Sequence, residues 1–154
     1  MARASAGILL FRRCGGSRIE VFLVHPGGPF WAKRDDGAWS IAKGEIEPGD
    51  DPLATAKREF AEETGFDPAF ERLEPLGSVR QAGGKVVHAW AAEGDCDAGA
   101  IRSNTFVLKG RSYPEVDRAG WFAIGEARAK ILAGQRPLLD ELERLLAAPA
   151  RAGG

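Results

Sequence analysis

Residues 43–66 read KGEIEPGDDPLATAKREFAEETGF. A glycine-proline loop rich in acid runs into a segment that closes on Arg58-Glu59-Phe60-Ala61-Glu62-Glu63. Asp51-Pro52 is a helix start, an N-cap residue followed by proline at the first helical position. Gly65 is the matching stop, so the spacing predicts a helix from Pro52 to about Thr64. At about 100° per residue, Leu53, Ala56, Phe60 and Thr64 form one packing stripe. Glu62, Glu59 and Glu63 fall at about 180°, 240° and 280° from Leu53, on a shared face.

That face breaks two electrostatic rules. Glu59 is three residues from Glu62 and four from Glu63, and each such like-charge pair costs about 0.2–0.5 kcal/mol. The cluster also sits at the helix C-terminal end, where the dipole disfavours anions. A solvated charged face normally alternates sign, yet the positions four residues after Glu62 and Glu63 hold Phe66 and Asp67. Arg58 is the nearby cation on that face. Crowded carboxylates of this kind are suited to magnesium, manganese or calcium, which take hard oxygen ligands. Gly44 permits close backbone approach, so its carbonyl is a further candidate ligand. Lys43 puts a cation where a phosphate would bridge lysine and metal.

The segment resembles the Nudix box, G-x5-E-x7-R-E-U-x-E-E-x-G-U, with U a bulky aliphatic residue. Gly44, Arg58, Glu59, Glu62, Glu63 and Gly65 match at the required spacing. Phe60 and Phe66 take the U positions as aromatics, and Asp50 stands in place of the first glutamate. The resemblance implies an α/β fold, an α/β/α sandwich on a central mixed sheet, spanning residues 1–148 as one domain. It implies hydrolysis of a nucleoside diphosphate linked to another group, with Mg2+ or Mn2+. Glu59, Glu62 and Glu63 would be metal ligands, one of them able to activate water, and Arg58 would orient a box carboxylate. Asp50 is one methylene short, which puts its reach to Arg58 in question. Glu115, in a late loop before Trp121-Phe122, matches a position from which the family often supplies another ligand or base.

For the substrate, Trp31 lies in a polar loop with Lys33 and Arg34 and is the favoured base-stacking residue. Trp39, on a short expected strand 39–41, reads as core. Lys43, Arg80 and Lys85 are candidate phosphate contacts, while His88, between apolar neighbours, reads as structural. Trp39-Ser40-Ile41-Ala42-Lys43-Gly44 resembles the W-x-x-P-K-G lead-in of diadenosine polyphosphate hydrolases, with alanine for proline. The tyrosine or proline that marks some specificities past the box is missing from Gln81–Gly84. The markers for ADP-ribose and for one diadenosine subgroup are thus absent, and the alternatives kept open are a diadenosine polyphosphate hydrolase and a non-catalytic nucleotide-binding regulator of the same fold. The intact glutamates weigh against the regulator.

The rest of the chain narrows the partners. Its 21 basic and 22 acidic side chains leave a net charge of −1, which gives no footprint for a nucleic-acid polymer or a membrane surface. An acidic calcium buffer is disfavoured because the spaced Asp/Asn loop of an EF-hand is missing. Cys14 and Cys96 lie outside any zinc-ligand spacing and read as free thiols of a cytoplasmic protein. The apolar start is too short for a signal-peptide core. A homodimer is compatible with this reading. Strands are expected at 4–12, 19–25, 76–80, 85–92 and 105–108, a loop at 114–119, and helices at 125–132 and 138–146. A disordered tail is expected over 149–154.

Overall fold

The computed structural model describes residues 3–67 and 69–147, so the expected tail at 149–154 lies outside the described residues. Its frame is a mixed six-stranded sheet, ordered β4-β5-β1-β2-β8, with β3 also pairing β1. β1 (Ala4–Arg13) is the central strand. It runs parallel to β5 (Val86–Glu93) on one side. On the other side it shares its length between two partners. β3 (Ala42–Glu45) pairs with Ser5–Ile8, and β2 (Ile19–Pro26) pairs with Phe11–Arg13. β4 (Leu73–Arg80) and β8 (Val116–Ala123) close the two edges.

The continuous apolar run of β1 is explained by cover on both faces. Ala6, Ile8 and Leu10 point into a core with Ala56 and Phe60 of α1 (Pro52–Thr64). Leu9 and Phe11 point the other way, into a core with Ala127, Leu138, Leu139 and Leu142. Those residues come from α2 (Ile124–Lys130) and α3 (Arg136–Ala147). The period-2 alternation of one strand thus sets two hydrophobic layers, α1 outside one and α2 with α3 outside the other. This is the expected α/β/α sandwich. Among the described residues no helix is long and apolar enough to cross a membrane.

Three expectations are corrected. Residues 39–41 form no strand: Ser40 bridges Val24 and Trp39 bridges Ile131 as isolated pairs, and the strand begins at Ala42. Trp39 itself is core at 6% exposure, its indole N–H donating to Asp35 Oδ1 at 2.8 Å. The loop expected at 114–119 is largely β8, whose polar residues Asp117 and Arg118 occupy an edge position that tolerates them. A hairpin stands before it, β6 (Thr105–Leu108) and β7 (Arg111–Pro114), turning on Lys109 and Gly110 at φ 50° and 78°. Two consecutive positive φ values are the mark of a type I′ turn. α2 ends at Lys130, two residues short of the expected end, and Pro137 lies in the first turn of α3 rather than before it.

His25, at the end of the expected strand 19–25, is buried on β2. Its ring reaches Asp117 Oδ1 at 2.8 Å and the Arg34 carbonyl oxygen at 2.6 Å. That pair of contacts fastens the 27–38 loop to β8. Thr55 on α1 is the opposite case, a buried hydroxyl with no hydrogen-bond partner. An unpaired buried polar group costs about 1–3 kcal/mol. Thr55→Val keeps the shape and removes the hydroxyl, so we expect Tm to rise by about 2–4 °C for each kcal/mol relieved. Calorimetry on wild type and variant checks this, and an unchanged or lower Tm contradicts it.

Candidate active site

The box helix is held at both ends by its own sequence. Asp51 caps the start, its carboxylate accepting from the Ala54 N–H at 2.9 Å. Gly65, at φ 80°, caps the end and donates to the Ala61 carbonyl at 2.8 Å. The last turn leaves carbonyls without helical partners. Two of these accept from the incoming segment 102–104: Arg102 N–H donates to Thr64 O, and Asn104 N–H to Glu62 O, both at 2.8 Å. The Asn104 carbonyl then accepts from Glu115 N–H at 2.8 Å, and the Glu115 carbonyl accepts from Gly27 N–H at 2.9 Å. A chain of backbone bonds therefore carries Glu115 from the far side of the sequence to the end of the box helix. Arg102 and Asn104, which do this, carry no motif in the sequence.

Glu59 is a half-buried carboxylate of the site. Its side chain is 16% exposed and lies against the backbone of Gly44. A Cβ at Gly44 would stand 2.0 Å from Glu59 Cδ and 2.3 Å from its Oε2. The glycine is required by this packing. Arg58 surrounds itself with carboxylates: Nη2 donates to Glu59 Oε1 at 3.3 Å, and Nε lies 3.8 Å from Glu62 Oε1. Arg58 Nη1 is 3.9 Å from Asp50 Oδ2, an ion pair beyond hydrogen-bond reach. That gap is what the missing methylene of Asp50 predicts.

Electrostatics confirm that the group is crowded. Burial raises the Glu63 carboxyl to about 8, helped by the charges of Glu59 and Glu115 and opposed by Lys43. Glu63 also accepts a backbone hydrogen bond from Lys43. Glu59 is raised by burial and by Glu62, with Arg58 opposing. Lys43 is lowered by its own burial, and the charge of Lys85 adds to that effect while Glu63 resists it. The fold thus brings together Lys43, Gly44, Arg58, Glu59, Glu62, Glu63 and Glu115, with Lys85 at the margin. Arg80 is not gathered in. It is exposed, and its guanidinium donates to the Gly84 carbonyl at 3.4 Å.

Trp31 lies on a second feature. A cleft of about 460 Å³ is lined by the segment 26–31, by Phe106 and Leu108 of the β6–β7 hairpin, and by Glu115. Glu115 is common to the cleft and to the carboxylate cluster. Phe30 and Phe106 were not singled out in the sequence, because an isolated phenylalanine reads as core unless its exposure is known.

Among the described residues, no three histidine, cysteine, aspartate or glutamate side chains converge tightly enough to enclose an ion. The donor set nonetheless suits a hard divalent cation in kind: carboxylate side chains, two of them raised by burial and then by neighbouring charge, and a glycine backbone pressed against one of them.

A family model described as the NUDIX domain matches residues 1–142, and the chain belongs to the Nudix family. It is 33% identical over 107 residues to the asymmetrical bis(5'-nucleosyl)-tetraphosphatase of Mus musculus, the match covering 60% of this chain and 66% of that one. It is 38% identical over 71 residues to the RNA pyrophosphohydrolase of Thioalkalivibrio sulfidiphilus, covering 44% and 40%. The matches thus span just under two thirds and two fifths of these relatives. Among solved structures it resembles a C. elegans Ap4A hydrolase binary complex, at TM-score 0.68 and 23% identity over 93% of this chain and 98% of that one. It also resembles the Nudix domain of Shewanella oneidensis NrtR complexed with ADP ribose, at TM-score 0.67 and 18% identity, over 96% and 90%. At these identities both structures speak to the fold alone.

The Gly44–Glu59 contact has a direct test. Gly44→Ala should cost roughly 1–3 kcal/mol, the usual range for overpacking. Glu59→Ala empties the space that the new methyl needs. In a double-mutant cycle read by thermal denaturation, the pair should therefore cost less than the sum of the single changes. Strict additivity would show that the two groups do not touch.

Proposed function

We propose that this chain is a metal-dependent hydrolase that cleaves a pyrophosphate linkage in a small nucleotide. The observation that carries the reading is the gathering of Glu59, Glu62, Glu63 and Glu115 around Lys43 and the bare backbone of Gly44. Mg2+ or Mn2+ would be held by Glu59, Glu62 and Glu63 with the Gly44 carbonyl. When bound, the ion neutralises phosphate oxygens and lowers the barrier to attack by water.

The chain's own residues supply the remaining work. Arg58 donates to Glu59 Oε1 and so fixes that carboxylate against Gly44. Lys43 stands beside the acidic group and meets a phosphate oxygen, with Lys85 as the outer cation. Glu115 borders the cleft where substrate would lie, and its carboxylate is our assignment for the group that takes the proton of the attacking water. Burial of Glu59 and Glu63 excludes competing solvent and strengthens each of these interactions. The net charge of −1 favours a small nucleotide over a polymer.

Within that class we favour a dinucleoside polyphosphate. The support is the Trp39–Gly44 lead-in and the similarity to the mouse tetraphosphatase. A regulator that binds without turnover is disfavoured, because a binder has no use for an arginine-oriented carboxylate at a buried site.

The test is a panel of nucleoside triphosphates, nucleotide sugars, ADP-ribose and diadenosine polyphosphates with Mg2+ or Mn2+, read as phosphate or nucleotide release. Glu59→Gln keeps the shape and removes the charge. Its kcat should fall by roughly 10²-fold or more with KM little changed. Glu71→Gln, outside the site, should be silent. Either ion should raise the wild-type Tm by mass action, and Glu62→Gln with Glu63→Gln should abolish that shift. Full turnover in Glu59→Gln, or an intact metal shift in the double variant, would refute the assignment.

A further inference from the structure

The walls of the cleft beside Glu115, apart from Glu115 itself, have no role in the chemistry above, and their composition is unusual for this surface. Among the described residues, the exposed large hydrophobics are Phe30 at 65%, Val107 at 72% and Leu108 at 43%. All three lie at this one place. Phe30 and Leu108 line the cleft with Trp31 and Phe106, and Val107, between Phe106 and Leu108 in β6, is outside the lining. The surface is built as well as exposed. Phe30 and Trp31 meet edge to face at 5.1 Å, and the Arg34 guanidinium lies 4.5 Å over Phe30 and 5.7 Å from Trp31. On the other side Phe106 stacks on Tyr113 at 5.7 Å. Its ring edge rests on Gly28, where a Cβ would stand 2.8 Å from Phe106 Cζ and where φ is 97°. Glycine at 28 therefore serves both the turn and the aromatic contact.

The polar content of the lining is as informative as the apolar content. Beyond the aromatics and Leu108, the walls are the glycine-proline segment 26–29 and Glu115. The lining side chains offer only the Glu115 carboxylate and the Trp31 indole N–H to a hydrogen bond. Glu115 lies near enough to Glu59 and Glu63 for its charge to help raise both carboxyls. Such a surface takes a flat π system on its faces and has little with which to read the edges.

We infer that Phe30, Trp31 and Phe106 form a stacking site for a nucleobase of the substrate, and that it accepts purines without discriminating adenine from guanine. The inference rests on the proposed reading of the carboxylate centre as the phosphate site. It is the continuity through Glu115 that favours a nucleobase over a protein partner: a base held in the cleft leaves its phosphates directed at the carboxylates. Recognition by stacking gains with ring area, so purines bind better than pyrimidines. A site that pairs with base edges rejects the wrong base by about 10⁴-fold or more, which this lining cannot do.

The test combines kinetics with binding. On one phosphate scaffold carrying adenine, guanine, cytosine or uracil, kcat/KM for the two purines should agree within tenfold. Phe106→Ala and Phe30→Ala should each raise KM by roughly tenfold or more with kcat unchanged. Val107→Ser should change neither. Phe30 is exposed, so Phe30→Ala should fold normally even if Phe106→Ala does not. Equilibrium titration with AMP and GMP reads the site without turnover: wild type should bind both, and Phe30→Ala should bind each roughly tenfold more weakly.

Unchanged KM and monophosphate affinity in Phe30→Ala overturn the inference. So does a preference above tenfold for one purine over the other, or a Val107→Ser variant that alters oligomeric state while the cleft variants bind normally, which would make the patch a protein interface. A wild type that binds the monophosphates through Phe30 but hydrolyses nothing in the panel would instead bring down the hydrolase reading and leave the stacking site standing.

Discussion

The absence of a side chain at Gly44 is the constraint on which the centre of this protein depends. Strand β3 and helix α1 pack so closely there that the carboxylate of Glu59 lies where a Cβ would be. Any other residue would push the helix or the carboxylate away. The same strand presents Lys43, whose backbone binds Glu63 and whose side-chain charge opposes the rise of that carboxyl. One short strand therefore sets the position of two glutamates, a cation and a bare carbonyl. The box loop between Glu45 and Asp51 has to return the chain to place that strand against that helix, which accounts for its proline and glycine.

The cluster is held against its own repulsion by the rest of the fold. Phe60 and Ala56 are fully buried on the opposite side of α1 and anchor the helix to β1 and β2. The charge opposing the cluster is supplied by Arg58 at the surface and Lys43 at the strand. Arg58 spreads itself over Asp50, Glu59 and Glu62, with a hydrogen bond to Glu59 alone. The shortened residue at position 50 loosens one side of this arrangement and leaves Glu59 as the arginine's main partner. A protein that keeps carboxylates raised and crowded gives up stability, a cost that the cation site proposed above would offset.

Much of the fold and the acidic centre was legible in the sequence because both rest on short-range rules. Asp51-Pro52 and Gly65 delimit α1 by capping, and the helical period alone brings Glu59, Glu62 and Glu63 onto one face. The central strand was legible from its apolar run, since cover on both faces leaves no polar alternation to obscure it. What was not legible depends on partners distant in sequence. The start of β8 reads as a loop because Asp117 and Arg118 are polar, yet β2 pairs with it. Asp117 is there to meet His25, 92 residues away. Trp39-Ser40-Ile41 looks like a strand, but its bonds go to isolated bridges because Gln135 and Ile131 occupy the positions a neighbouring strand would need. Arg80, expected as a phosphate contact, is exposed, and its guanidinium donates to the Gly84 carbonyl, a contact set by the hairpin turn that the sequence did not specify.

Glu115 joins these two kinds of information. In sequence it is one acid in a late, polar segment, singled out over Asp117 by the family resemblance alone. Its position is set by backbone bonds to Asn104 and Gly27, and those exist because the last turn of α1 needs donors for its free carbonyls. The end of the box helix recruits the 102–104 segment. That segment presents its own carbonyl to Glu115, and the hairpin 105–114 is the length of chain left over between the two attachments. Phe106 and Leu108 are carried on that hairpin and reach the cleft only because Asn104 and Glu115 are pinned together at its base. The requirement to satisfy a helix terminus thus places, through one continuous run of hydrogen bonds, both the fourth carboxylate of the centre and the aromatic surface beside it.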